Sequence, residues 1–401
     1  TGEALVAAVT AGLLAGGADV RRAGVLPTPA LADASRGRRG VMVTASHNPP
    51  ADNGLKLFVD GVEYDRDAER AVEQRVDAAS ADWDRWGGVE RLDVLDAYRD
   101  AVTNYAAEHG AEADGLRVAV DCGNGVAGLV TPQVLTGLGA EVRALNATVD
   151  GHFPARQSKP TPESLADLRA FVADSADLGV GHDGDADRVV VVDGDGEVVH
   201  EDTVLAILAE HYIRASDAAD PVVVTTPNAS GRVDERVREA GGRVERVRLG
   251  ALHEGVAAAR ADGDEQTAIA FAAEPWKHIH PGLGGWIDGV ASAAVLTRLV
   301  AAEGLDTLRA PVTERPYRKL SVPCPDDRKA TAMTALEEAL PGVFPEAGVN
   351  TDHGVRLDLP DGSWTLVRPS GTEPYLRIYA ESEDVDALVT TVRERVEAAL
   401  E

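Results

Sequence analysis

The sequence predicts an α/β chain of three α/β domains with mixed sheets, followed by a smaller α+β carboxy-terminal domain. Three observations carry that expectation. The 401 residues exceed what one hydrophobic core usually supports. Short β-branched runs alternate with longer Ala-, Leu- and charge-rich segments of helical period. From about residue 312 that alternation gives way to strands followed by one closing helix.

The expected strands lie at 40–44, 116–121, 177–181, 188–193, 221–226, 267–272, 364–368 and 375–381. Each is short, apolar and bounded by Gly, Pro, Asp or Asn. Helical spacing marks 68–79, 203–213, 231–241, 288–304 and 384–400. The acidic stretch 79–93, the turn 194–202 and the Pro-containing 308–319 read as connections. They divide the chain into domains 1–97, 98–198, 199–311 and 312–401.

Composition narrows the function classes. Apolar residues make up 44 % and charged residues 26 %, as in ordinary globular proteins. The formal net charge is −28, from 67 Asp plus Glu against 39 Lys plus Arg, and only five of the basic residues are Lys. A surface this acidic repels phosphate backbones and anionic lipid, which excludes nucleic acid and membrane partners; it fits a salt-adapted, halophilic cytoplasm. Cys122 and Cys324 form no disulfide framework or metal spacing. No run reaches the length of a membrane span, and the apolar start lacks a basic leader region. A cytoplasmic location is the expectation.

Four loops carry chemistry. In Thr44-Ala45-Ser46-His47-Asn48-Pro49 a strand ends and Pro49-Pro50 blocks immediate helix continuation. Such a loop can present Ser46 to a cleft, with Lys56 near enough in sequence to lend positive charge. His47 is not expected to face Ser46, being its immediate neighbour, and no GxSxG elbow is present, which disfavours an acyl-enzyme triad. Read alone, Ser46 is a turn serine.

In Asp183-Gly184-Asp185-Ala186-Asp187-Arg188, carboxylates at i, i+2 and i+4 share a face and can converge on one hard cation. The spacing is not an EF-hand: its sixth and twelfth positions would be Arg188 and Gly194. Three carboxylates leave an open coordination position, which suits one Mg²⁺ shared with a phosphate oxygen.

Arg368-Pro369-Ser370-Gly371-Thr372-Glu373-Pro374, with Arg377 beyond, offers amides, two hydroxyls and two guanidinium groups to a phosphate dianion. No nucleotide-binding glycine loop occurs, so the phosphate need not belong to a nucleotide. Glu274-Pro275-Trp276-Lys277-His278 places a carboxylate beside cationic donors suited to sugar hydroxyls, while Trp276 and His280 read as packing residues. One phosphoryl-transfer site explains all four loops together.

With these motifs the chain resembles, from end to end, the α-D-phosphohexomutase superfamily of phosphoglucomutases, phosphomannomutases and phosphoglucosamine mutases. The resemblance implies four domains around a central cleft, with TASHNP as the phosphoserine loop carrying the phosphoryl group on Ser46. It implies Asp183, Asp185 and Asp187 as Mg²⁺ ligands, completed by Ser46, with Arg188 beside the phosphoserine and His47 and Lys56 assisting. RPSGTEP resembles the family's phosphate loop, implying Arg368, Ser370, Gly371, Thr372 and Arg377 as phosphate contacts. Glu274, Lys277 and His278 are then expected at the sugar.

The implied reaction interconverts hexose 6- and 1-phosphates through a hexose 1,6-bisphosphate, which also acts as activator, in a monomer or homodimer. Two departures stand out. The family's sugar loop usually reads glycine-glutamate-x-serine-glycine-histidine, whereas this chain has Ala273-Glu274-Pro275-Trp276-Lys277-His278. Members also usually open with strands ahead of the first helix, within which this chain starts, so the first domain is expected to be incomplete at its amino end. Gly371, where bacterial phosphomannomutases often have asparagine, favours a phosphoglucosamine or dual-specificity enzyme. The alternatives are a phosphoglucomutase, a metal-dependent phosphatase, and a sugar-phosphate-binding homologue with weakened turnover.

Overall fold

The computed structural model describes residues 2–76, 84–371 and 373–400. The chain gathers into two compact units, Thr1–Val204 with Pro275–Leu308 and Leu205–Glu274 with Arg309–Glu401. This grouping cuts through the expected segment 199–311 just where the Glu274 loop begins.

The first unit is built on buried, β-branched strands. Glu141–Leu145, Arg117–Asp121, Leu178–Gly181 and Val190–Val192 form a sheet in that order, the first three parallel and the last antiparallel. Val118, Val120, Leu178, Val180 and Val191 are buried, so these strands read as continuous apolar runs. Leu178–Gly181 and Val190–Val192 bracket the aspartate loop. The antiparallel strands Arg39–Val43, Leu55–Val59 and Val62–Glu63 position the serine loop, since Val43 pairs with Leu55 across its base. The helix Gly289–Glu303 is mostly apolar and almost wholly buried. Its cap Asp288 accepts from the Ala291 amide, the Trp286 indole and the Tyr98 hydroxyl. The helix expected over 68–79 is Arg66–Glu73, capped by Asp65, and the expected positions from 77 lie outside the described residues.

The second unit contains a parallel sheet with strands Arg243–Arg246, Asp220–Thr225 and Thr267–Glu274 in order. It also contains an antiparallel sheet ordered Tyr317–Pro323, Tyr375–Glu381, Trp364–Pro369, Val355–Asp358, Gly348–Asn350. The single closing helix expected there is a correction: Asp326–Val343 packs with Val385–Leu400 against this sheet. Ala332, Met333, Leu336 and Leu340 give it a buried stripe at helical spacing, and Pro341 obscures that stripe in the sequence.

A buried charge pair ties this unit together. Arg232 and Glu381, each at most 1 % exposed, lie 3.1 Å apart. The second Glu381 oxygen accepts from the Trp364 indole at 3.2 Å. Arg356 covers that indole at 4.3 Å and donates to the Pro227 and Ala229 carbonyls. Removing one partner of such a pair strands a buried charge. Glu381→Ala is expected to lower stability by about 3–5 kcal/mol in urea titrations, with the Arg232→Met/Glu381→Leu double variant recovering most of the loss. A double variant no more stable than the single one contradicts this reading.

Candidate active site

The serine loop leaves its strand with Ser46 in the left-handed region at φ 52°. A residue with a Cβ adopts that backbone only when its surroundings impose it. Here the Thr44 hydroxyl accepts from the Ser46 amide at 3.0 Å, and the Thr44 amide donates to the Gly54 carbonyl. The turn points Ser46 Oγ at Asp183, whose Oδ2 accepts its hydrogen bond at 2.7 Å. It also brings His47 Nδ1 to 3.4 Å from the same Oγ. This corrects the expectation that adjacent residues cannot face each other, which assumed ordinary right-handed or extended backbone.

The aspartate loop is pinned by backbone bonds. The amides of Thr28, Val126 and Gly289 donate to the carbonyls of Asp185, Gly184 and Ala186. Gly184 is required by closeness, because a Cβ there would lie 2.5 Å from the Ser46 carbonyl oxygen. The loop turns through Ala186 at φ 61° and brings one oxygen each from Asp183, Asp185 and Asp187 within 4.8 Å of one another, all three side chains buried.

The Oδ2 atoms of this trio face protein donors. Asp185 Oδ2 accepts from the Thr28 and Thr44 hydroxyls at 2.7 and 3.1 Å. Asp187 Oδ2 lies 3.1 Å from Lys56 Nζ and 3.3 Å from Lys277 Nζ. By contrast, Asp185 Oδ1 and Asp187 Oδ1 are buried without a hydrogen-bond partner among the described residues. Buried carboxylate oxygens without partners are costly, and these two sit in an all-oxygen cluster of the kind a hard divalent cation satisfies. The donor set fits Mg²⁺.

Electrostatics follow from the crowding. Burial and the neighbouring Asp187 and Asp185 charges push Asp183 well above the usual carboxylate range. Burial also acts to raise Asp187, but Lys277, Lys56 and Arg188 outweigh it and hold that group below the usual range. For Lys56, burial works to lower the ammonium pKa, and Asp187, Asp185 and Glu63 overcome it and raise it. Burial, then Arg188 and Lys277, lower His47 to about 4, so its imidazole is neutral near pH 7. Arg188 Nη2 lies 3.3 Å from His47 Nε2 and Arg188 Nε 3.7 Å from Asp183 Oδ2, the two side chains that meet the serine hydroxyl.

The remaining expected residues divide between the two units. Lys277 reaches the aspartate loop rather than standing free for a sugar hydroxyl. His278 is 1 % exposed, with Nδ1 3.0 Å from the Ser292 hydroxyl, which also bonds His280 Nε2 at 2.9 Å, so both rings are anchored on the helix Gly289–Glu303. Trp276 packs against the Leu165, Leu168 and Val172 cluster, as a packing residue should, and does so at φ 71°. Glu274, in the second unit, ends its strand with Oε2 accepting from the Gly250 amide at 3.3 Å.

Also in the second unit, Arg368 and Arg377 stand opposite each other in the antiparallel register. Between them Ser370 and Gly371 form the turn, and Thr372 lies outside the described residues. The Lys329 ammonium ties the turn by donating to the Ser370 and Glu373 carbonyls, both at 2.7 Å. Among the described residues, apart from its chain neighbours, no heavy atom lies within 4 Å of where a Cβ on Gly371 would sit. Arg368 donates to the Tyr379 hydroxyl at 2.9 Å, Arg377 pairs with Glu373, and the Nε of each arginine lacks a hydrogen-bond partner among the described residues. Two guanidinium groups beside an open turn can grip a phosphate dianion.

Sequence reasoning missed Thr28 and Lys159. Thr28 lies between two prolines, with no pattern to mark it as a partner of Asp185. Lys159 follows Ser158, whose hydroxyl donates to the Asn48 carbonyl at 3.0 Å and so fastens its segment to the serine loop.

Comparison with known proteins finds one family along the chain. Phosphoglucomutase/phosphomannomutase models match alpha/beta/alpha domain I at residues 1–82, alpha/beta/alpha domain II at 96–196 and the C-terminal domain at 320–399. The chain is 40 % identical to a phosphopentomutase of Thermococcus kodakarensis, over 94 % of this chain and 82 % of that one. It is 41 % identical to a probable phosphoglucosamine mutase of Methanopyrus kandleri, over 100 % of this chain and 89 % of that one. A crystal structure of a phosphoglucomutase/phosphomannomutase family protein from Burkholderia thailandensis superposes with a TM-score of 0.84 at 29 % identity, covering 99 % of this chain and 85 % of the other.

Two predictions follow from the geometry. Thr28→Val removes a hydroxyl that orients Asp185 and is expected to weaken Mg²⁺ or Mn²⁺ binding about 10–100-fold by calorimetry, whereas unchanged affinity contradicts the role. The second concerns acid. Burial lowers His182 to about 4 and His278 to about 3, and also depresses His47 and His280. Each is neutral when folded and gains a proton on unfolding below about pH 6.5, so acid favours unfolding. Asp183 and Asp288, the latter raised by burial to about 6, work the other way but are outnumbered. Stability is expected to fall as pH drops from about 6.5 to 5, and His280→Gln to make the decline shallower by about 1.4 kcal/mol per pH unit. A urea midpoint that stays flat over that window contradicts it.

Proposed function

Because the chain belongs to the phosphoglucomutase/phosphomannomutase family, we propose that it interconverts the 6- and 1-phosphates of a hexose through a phosphoserine at Ser46 and a hexose 1,6-bisphosphate. The observation that carries this reading is Ser46 itself, held in a left-handed turn with its Oγ 2.7 Å from the buried aspartate trio. A serine serving only as a turn residue has no reason to be strained toward three carboxylates.

In the forward step a sugar hydroxyl takes the phosphoryl group from Ser46. The Oγ–P bond breaks as the sugar O–P bond forms, the hydroxyl proton passes to the serine, and the restored Ser46 hydroxyl returns to Asp183. His47 keeps Nδ1 near the serine oxygen because Arg188 faces its Nε2. Lys56 offsets the charge of Asp187. Asp183, Asp185 and Asp187 with Ser46 would hold Mg²⁺, which when bound offsets negative charge on the transferring phosphoryl group. Arg368, Ser370, Gly371 and Arg377, with Thr372, grip the phosphate that is not being transferred, and Glu274 accepts from sugar hydroxyls. Exchange of the two phosphates in this grip turns a bisphosphate into either monophosphate.

Glucosamine phosphate is the first sugar to consider, from the names of the relatives in Methanopyrus and Methanothermobacter. A cytoplasmic, salt-adapted setting accords with the acidic composition, and no helix among the described residues is long and apolar enough to cross a membrane.

Intact-mass spectrometry of the purified chain is expected to find one phosphate that is absent from Ser46→Ala. Phosphorus NMR with the 1- and 6-phosphates of glucosamine, mannose and glucose, and with ribose phosphates, then ranks the substrates. Formation of an isomeric hexose ester supports the proposal, conversion of ribose phosphates alone moves the substrate class to pentoses, and release of free phosphate instead overturns the mutase reading.

A further inference from the structure

Lysine is scarce in this chain, and its five lysines are not scattered: Lys56 and Lys277 reach Asp187 and Lys159 lies beside Trp276 on a segment fastened to the serine loop, while Lys319 and Lys329 flank the loop that carries Arg368 and Ser370. Lys319 shares the Tyr379 ring with Arg368, each about the same 5.5 Å from its centroid. Arginine meets the other positive-charge needs of the molecule, in pairs such as Arg117–Asp177 and Arg243–Asp220. The two cations differ in use: the guanidinium fork fixes one geometry, whereas an ammonium is a compact charge on a flexible stem that can follow a moving group.

Lys159 and Lys277 belong to none of the serine, aspartate or phosphate loops, yet Lys277 reaches the aspartate loop and Lys159 sits on a segment fastened to the serine loop. Lys277 shares one oxygen of Asp187 with Lys56. Lys159 is exposed, is fastened to the serine loop through Ser158 and Asn48, and lies 5.9 Å from the Trp276 ring. The Arg188 guanidinium lies at the same distance from that ring, so Trp276 gathers two of the cations.

Charge shows what they are for. Lys56 and Lys277 lie against Asp187, and Arg188 against Asp183, before any cation or phosphate arrives. Once a divalent cation takes up the carboxylate charge, these side chains are in surplus. A phosphoryl group carrying about −1.5 to −2 at pH 7 is the anion that balances them.

We propose that Lys159 and Lys277 complete, with Lys56 and Arg188, a cationic collar that binds the phosphoryl dianion on Ser46. The proposal rests on the phosphoserine reading above and adds two residues to it. The collar belongs to the seat of the transferring phosphate, so it changes how readily Ser46 is charged rather than which sugar is chosen.

The test loads the full-length protein with glucose 1,6-bisphosphate in the presence of Mg²⁺ and reads phosphate on Ser46 by intact mass. Lys159→Gln and Lys277→Gln are each expected to raise the half-saturating bisphosphate concentration about tenfold, the change of one lost charge contact of about 1.4 kcal/mol. Lys159→Arg and Lys277→Arg are expected to restore most of the loading, and the double Gln variant to lose much of the salt dependence seen in the parent. Lys159 is exposed, so its variant tests the collar even if Lys277→Gln folds poorly. Gln variants that load like the parent overturn the collar and leave the phosphoserine standing. A parent protein that takes no phosphate on Ser46 removes both.

Discussion

Three carboxylates buried within 4.8 Å of one another are the constraint on which the first unit depends. Like charges at that distance in a solvent-poor site repel strongly, and the fold answers with Lys56, Lys277 and Arg188 and with the hydroxyls of Ser46, Thr28 and Thr44. These partners come from segments far apart in sequence. Satisfying the cluster therefore fixes the Ser46 turn, the Lys277 loop and the Thr28 segment against the aspartate loop at once. Two oxygens, Asp185 Oδ1 and Asp187 Oδ1, have no hydrogen-bond partner among the described residues, and they mark where a cation fits.

The second unit solves a different problem. Its Ser370–Gly371 turn is open and hangs from an antiparallel sheet. Lys329 closes the turn through the Ser370 and Glu373 carbonyls, and the strands behind it are locked by the buried Arg232–Glu381 pair and by Arg356 over Trp364. Rigidity below and an open turn above suit a grip that keeps one geometry while its ligand is exchanged.

Much of this was legible in the sequence because each candidate loop is a short local motif in it. Asp183, Asp185 and Asp187 announce themselves by spacing, Ser46 and Arg368 by the loops they sit in, and the buried strands by their β-branched runs. What was hidden depends on long-range placement. Thr28 and Lys159 carry no local pattern. His47 reaches Ser46 only because the backbone turns left-handed there, a strain imposed by Thr44 and the aspartate loop. The helix Asp326–Val343 was obscured by Pro341, and the inward turn of His278 depends on Ser292 in a helix that starts eleven residues later. Lys277, expected at a sugar, is drawn to Asp187 by charge.

The central claim is that Ser46 and the aspartate trio form one phosphoryl-transfer centre. Anomalous scattering from crystals grown with Mn²⁺ tests it most directly. The account predicts a single strong peak bound by Asp183, Asp185 and Asp187, with the Ser46 oxygen or a phosphate oxygen on it completing the ligand set. A cation bound elsewhere, or one held by the trio with Ser46 turned away from it, would contradict the account.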